Sequence, residues 1–212
     1  MANSIKNSSM IVGLDIGTSK VVCIVGKYND EKKLEIIALG SYPSSGLKKG
    51  VVVNIDATTD AIDKAVEQAQ SMIEEKIKSV YVGIAGKHVK SLNSHGAEAI
   101  KDNEVSSYDL DRVIESAQAV AIPSDQNLLH VIPQSFIIDG QEVSLDPLGM
   151  SGTRLETKVH LVTCANSAVK NIEKCIKNCG LNVNGFVLEQ FASSHSILSD
   201  DEKELGVCLV DI

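Results

Sequence analysis

The sequence predicts an α/β fold: a sheet-and-helix domain into which a smaller α+β subdomain is inserted. Three observations lead there. Residues Ile11 to Gly26 place two β-branched runs on either side of a glycine-containing link, which reads as a hairpin. The chain then continues in the order strand, helix, strand. Between residues 87 and 162 the pattern changes to long strands around a single helix, and beyond 163 the helix–strand alternation returns. The expected organisation is one subdomain from residues 1–86 and 163–204, an insert at 87–162, and the opening strand of a further subdomain at 205–212.

Leu34 to Tyr42 reads as the third strand, stopped by Pro43-Ser44-Ser45-Gly46. Lys48-Lys49-Gly50, before the short run Val51 to Val53, is a lysine pair beside a glycine that could touch phosphate, and reads first as a solvated turn. A helix is expected over Asp56 to Lys76, because Ala61, Ala65, Ala69, Met72 and Ile73 recur at helical spacing and Asn54 or Asp56 can cap its start. Val80 to Ala85 is a strand ending at Gly86.

In the insert, Val89 to Asn93 reads as a short strand followed by a polar stretch, His95 to Asn103. A helix from Ser107 to about Val120 buries Leu110, Val113, Ile114 and Ala117, leaving Asp109 and Asp111 on its surface, and Pro123 prevents its continuation. Leu128 to Ile138 is a strand whose Pro133 demands an edge or a bulge. Asp139-Gly140 is a turn, Leu145 to Gly152 a loop, and Thr153 to Cys164 a long strand. Asn166 caps a helix over Ser167 to Cys179 that Gly180 ends. Strand Val183 to Leu188, helix Gln190 to Leu198, an acidic connector Ser199 to Glu204 and an apolar strand from Leu205 to Ile212 complete the chain.

The link of the first hairpin carries the chemistry. Gly17 permits a left-handed backbone, so neighbouring N–H groups can converge on an anion. The Thr18 and Ser19 hydroxyls and the Lys20 ammonium add donors suited to phosphate. Asp15 is wrong for touching phosphate but right for holding a hydrated Mg²⁺ that carries the phosphate charge. A plain solvent-facing turn fits the same residues. GxxxxGK[ST] is absent, and so are the spaced glycines of a dinucleotide fingerprint.

Bulk properties exclude several classes. In 212 residues, 28 acidic side chains outweigh 20 basic ones, for a net charge of −8, and no basic stripe favours nucleic acid. No apolar run approaches the roughly 18 residues of a spanning helix. Cys175 and Cys179 share a predicted helix face, but no further ligands stand at zinc spacing, so they read as reduced thiols. The five histidines are dispersed and form no catalytic order.

IVGLDIGTSKV resembles the first phosphate motif of the actin, Hsp70 and sugar-kinase superfamily. The runs SGLKKGVVVNIDATTDAIDKAVEQAQ, VYVGIAGKHVKSLNSHG, HVIPQSFIIDGQ, DPLGMSGTRLETKVHLVTC and LGVCLVDI resemble the bacterial FtsA cell-division family, from about Met10 to the last residue. The resemblance implies half of an actin-like ATPase, a ribonuclease-H-like subdomain 1A, with an inserted α+β subdomain 1C. It implies ATP and Mg²⁺ as ligands, with Asp15 metal-associated, Gly17, Thr18, Ser19 and Lys20 as the phosphate cradle, and Asp211 opening the second phosphate motif.

The same resemblance makes Glu189 a candidate catalytic residue, at the place of the E-P-x-A acid of Hsp70- and MreB-like relatives, although this chain reads Glu189-Gln190-Phe191-Ala192 without the proline. An exposed strand-to-helix acid is the alternative. The family implies at most weak ATP turnover, self-assembly into filaments, tethering of FtsZ filaments to the cytoplasmic membrane at the division septum, and recruitment of later division proteins such as FtsN through the insert. Its second nucleotide-binding half, FtsZ-binding subdomain and membrane helix are expected after Ile212, which makes the chain part of a longer protein. A PilM-like scaffold of a pilus or secretion system and a superfamily small-molecule kinase are the rival readings.

Overall fold

The computed structural model describes residues 10–210. The chain divides into two compact units, Met1–His88 with Ser167–Ile212, and Val89–Asn166. The first opens with the expected hairpin, β1 (Ile11–Ile16) and β2 (Lys20–Tyr28), and β3 (Leu34–Pro43) adds antiparallel to β2. β4 (Leu47–Lys48) and β5 (Val51–Val52) form a small separate hairpin turning at Lys49 and Gly50, both with positive φ.

Asn54 starts α1 (Ile55–Gln70), its side-chain oxygen accepting the Ala57 N–H at 3.0 Å. The helix stops six residues before the expected Lys76. The Gln70 side chain donates to the carbonyls of Ile73 and Glu75 and accepts the Ile77 N–H, replacing helical bonds with a turn that buries Ile77 and leaves Met72 exposed. β6 (Ser79–Ile84) then enters the sheet parallel to β1.

The second unit begins with β7 (Val89–Ala99), twice the length that its polar sequence suggested. It pairs with a later strand from end to end, and an antiparallel sheet tolerates polar residues on a solvated face. A short 3-10 turn at Lys101–Asn103 leads to α2 (Ser107–Gln118). Asp109 corrects the surface assignment: it is 1% exposed, accepting the Ser106 hydroxyl and N–H and the Lys101 N–H, in a capping box that starts α2.

β8 (Gln126–Ile138) and β9 (Gln141–Val143) turn at Asp139-Gly140, where both residues have positive φ. β10 (Arg154–Ala165) completes a four-stranded antiparallel sheet in the order β7-β10-β8-β9. Pro133 lies at a register shift against β10 and outside the stretch of β8 that pairs with β9, so its missing N–H costs no ladder bond. The core here is Ile100, Val105, Val113, Phe136, Ile138 and Leu155.

The chain returns to the first unit through α3 (Asn166–Asn178), ended by Gly180 at φ +73°. The Asn166 side chain donates to the Ser124 carbonyl instead of capping with its oxygen. β11 (Asn182–Leu188) runs parallel to β6, giving the sheet order β11-β6-β1-β2-β3, the arrangement expected of a ribonuclease-H-like half. α4 (Glu189–Ile197) follows directly.

The expected acidic connector is instead a helix, α5 (Asp200–Leu205), because Ser199 and Glu202 form a second capping box. The strand expected from Leu205 is not formed: Leu205 closes α5, and residues 206–210 carry no regular structure. A strand needs a neighbour for its N–H and C=O groups, and no described strand lies beside this run. Asp211 and Ile212 lie outside the described residues.

Candidate functional site

The parallel strands determine where a ligand can sit. β1, β6 and β11 run in one direction and end side by side at Ile16, Ile84 and Leu188. Ligands of open α/β sheets bind just beyond such carboxyl ends. Two adjoining hollows are found there, of about 240 and 690 Å³. The smaller is lined by Thr18, Gly50, Gly86 and Ile172, the larger by Asp15, Lys20, Tyr81 and Ala192; Gly17, Gly83 and Glu189 border both.

The hairpin link is built differently from its sequence reading. Gly17 does not take a positive φ. Its N–H donates to the Lys20 carbonyl at 3.0 Å, closing the turn, and a Cβ there would lie 3.0 Å from that same oxygen. Glycine is therefore required by close approach and not by a left-handed backbone. With that N–H used, the donors left for an anion are the backbone and hydroxyls of Thr18 and Ser19 and the Lys20 ammonium. All three side chains are exposed. Ser19 lines neither hollow; its carbonyl accepts the Ser44 N–H at 3.0 Å, tying the turn to the end of β3.

Asp15 lies opposite Val22 on the sheet face away from α1. Glu189, half-buried, is the first residue of α4. These two carboxylates share the larger hollow with Lys20. Among the described residues no group of three or more His, Cys, Asp or Glu converges tightly enough to hold a metal. A cation here must keep most of its water, as Mg²⁺ does, and the oxygen-only donor set fits that ion.

Of the glycines lining the hollows, Gly50 and Gly86 stand in the sequence as a turn and a strand end, and Gly83 is an addition of the structure. Gly83 carried a usable signal, since a lone glycine inside a strand marks a close approach. The Cys23 and Cys179 thiols are held protonated: burial pushes Cys23 up to about 11 and Cys179 up to about 12, and Cys179 donates to the Thr59 carbonyl.

Residues 86–163 match the family model described as the SHS2 domain inserted in FtsA. The chain is 57% identical to the cell-division protein FtsA of Pseudomonas aeruginosa over 99% of its own length and 50% of that protein's. To the FtsA of Neisseria meningitidis it is 50% identical, over 94% of the chain and 48% of the relative, and to that of Escherichia coli 42% identical, over 96% and 48%. The chain thus spans about half the length of the curated relatives it matches. A solved PilM–PilN type IV pilus biogenesis complex shares the fold at 16% identity, with a TM-score of 0.62 over 87% of this chain and 49% of that one. The architecture is accordingly half of an actin-like fold with an inserted SHS2 domain.

Proposed function

From a chain that closely matches the N-terminal half of the bacterial FtsA cell-division proteins, we propose that it is the nucleotide-binding N-terminal part of an actin-like cell-division adaptor. Residues 1–86 and 163–204 act as subdomain 1A, 87–162 as the insert 1C, and 205–212 as the start of subdomain 2A. The whole protein binds ATP with Mg²⁺, assembles into filaments, tethers FtsZ filaments to the cytoplasmic face of the membrane at the septum, and recruits later division proteins through the insert. Turnover of ATP is slow.

The observation that carries this reading is the cleft beyond β1, β6 and β11, with the Asp15-to-Lys20 turn at its edge. Asp15 holds Mg²⁺ through water. Thr18, Ser19 and Lys20 hold phosphate oxygens by charge-assisted hydrogen bonds, Gly17 lets the turn close, and Asp211 belongs to the start of the second phosphate motif. Glu189 orients the attacking water.

Calorimetric titration of Mg²⁺–ATP tests it, in this chain and in the full-length protein. The full-length protein binds much more tightly, because this chain supplies one wall of the cleft. Asp15→Asn removes most of the Mg²⁺ dependence. Lys20→Ala costs roughly 1.5–3 kcal/mol, about ten- to a hundred-fold in affinity. Equal affinity in the two chains, or affinity unchanged by both substitutions, would overturn the assignment.

A further inference from the structure

We propose that Gly83 is a positioning residue that seats the Glu189 carboxylate across the floor of the cleft. The inference rests on the nucleotide reading of that cleft and assigns a role to a position that has no side chain. The geometry begins with sheet pairing. Val187 and Leu188 of β11 lie beside Gly83 and Ile84 of β6, so the chain leaves the sheet for α4 directly next to Gly83. From there the Glu189 side chain lies over the neighbouring strand. A Cβ on Gly83 would be 3.0 Å from Glu189 Cγ, 3.3 Å from Oε1 and 3.6 Å from Cδ.

Two other glycines on the same face set the comparison. A Cβ on Gly13 would meet nothing within 4 Å, and one on Gly185 would touch only the Tyr81 ring at 3.6 Å, an ordinary contact. Gly83 alone of these three has a carboxylate lying on it. Side chains alternate along a strand, so Asp15 and Gly83, each two residues beyond the paired Gly13 and Tyr81, share that face. The bare position at 83 therefore lets Glu189 lie low in the space between β6 and β1, bordering both hollows.

Any side chain at 83 lifts Glu189 off this floor. The obstructing atoms belong to a flexible side chain, so the lift moves the carboxylate and leaves the fold intact. A contact of 3.0 Å obliges Glu189 to give by a few tenths of an ångström, and an interaction with a water or a hydrated cation depends steeply on carboxylate position.

The test is a double-mutant cycle in the full-length protein with Gly83→Ala, Glu189→Ala and both together. Three quantities are read: kcat and KM for ATP hydrolysis, melting temperature, and the position of Glu189 in a nucleotide-free crystal structure of Gly83→Ala. Expected are a Glu189 displaced by a few tenths of an ångström or more, a melting temperature within a few degrees of the parent, a kcat lower by about two- to tenfold with KM nearly unchanged, and no further loss when Gly83→Ala is added to Glu189→Ala. Glu189 unmoved in the variant crystal, or multiplicative losses in the double variant, would overturn the proposal. So would a displaced Glu189 with unchanged kcat, which leaves the nucleotide reading standing if Mg²⁺–ATP still binds. A parent protein that binds no Mg²⁺–ATP defeats both.

Discussion

In the unit formed by residues 1–88 and 167–212, α1 lies on the sheet over Gly40; in the unit 89–166, α2 lies on its sheet over Gly96. A Cβ on Gly40 would collide with the Ala65 carbonyl and stand 2.8 Å from the Ala69 nitrogen. One on Gly96 would collide with the Val113 carbonyl and stand 2.6 Å from the Ala117 nitrogen. Both helices meet the glycine with alanine or valine, so backbone packs on backbone. The opposite faces differ. The all-antiparallel sheet of the second unit uses its outer face for solvated polar pairs: His95 and Arg154 to Glu156 at 2.9 and 3.2 Å, and His160 to Asn93 at 2.7 Å. The mixed sheet of the first unit shows Ile24, Leu39 and Tyr81, each at least 40% exposed, and leads into the cleft. One packing device thus serves two ends. Where the strands are antiparallel it gives a self-contained module, and where three are parallel it leaves adjacent carboxyl ends at which ligand chemistry can gather.

The largest effect expected from breaking this comparison comes from the glycines themselves. Gly40→Ala and Gly96→Ala each force a helix off its strand, and overpacking of this severity costs about 3 kcal/mol or more. Hydrogen exchange followed by mass spectrometry separates the units: Gly40→Ala should deprotect α1, β2 and β3 and spare β8 and β10, and Gly96→Ala the reverse. Uniform loss of protection from either variant would show that the units do not unfold separately.

A smaller effect comes from the start of α2. Asp109 closes the capping box and Asp111, two residues on, is exposed. Asp109→Ala should cost about 1–2 kcal/mol, as cap losses do, whereas Asp111→Lys should stay within about 0.5 kcal/mol. The Ser106 hydroxyl, then the Ser106 N–H, hold the Asp109 carboxyl below the usual carboxylate range. A depressed folded-state value means that the stabilisation is complete above the unfolded carboxyl value near 3.9 and is lost as pH falls through the folded one. Acid titration should therefore weaken the 89–166 unit below about pH 4, and Asp109→Asn should flatten that limb. An unchanged acid limb in the variant would remove Asp109 from the account.

The same residue shows what the sequence could convey. Helical spacing located α2 and its buried face, and hydrophobic alternation located β10, because both signals are local. Asp109 departs from its sequence expectation because a carboxylate at the third helical position has the pattern of a surface residue, and only Ser106 and Lys101, folded around it, bury it. α1 is shorter than its spacing implies for a similar reason: the Gln70 side chain, reaching forward to Ile77, gives the turn its bonds. The hairpin and its Asp15-to-Lys20 motif were readable as a motif, and the placement of Glu189 beside them was implied by resemblance alone. A lone glycine at 83 inside a strand signals a close approach, but the partner that approaches, at the start of a helix about a hundred residues later, is one that no local pattern encodes.

The smallest effect is expected on the outer face of the second unit, at Glu156. Its side chain is 19% exposed, but its partners are open to solvent, His95 at 47% and Arg154 at 60%. Exposed pairs of this kind contribute about 0–1 kcal/mol, because water and salt screen them and two long side chains must be held in place. Glu156→Gln keeps the shape and one acceptor oxygen, so denaturant unfolding should fall within about 1 kcal/mol of the parent, with the difference shrinking further at high salt. The comparison sharpens if this holds, since the module then draws its stability from the α2 side of the sheet and its outer face is free to vary in charge. A loss above about 2 kcal/mol that persists in salt would mean that Arg154 had been left as a poorly solvated, unpaired charge. The outer face of the 89–166 sheet would then be a structural network in its own right, and the contrast with the first unit would have to be redrawn.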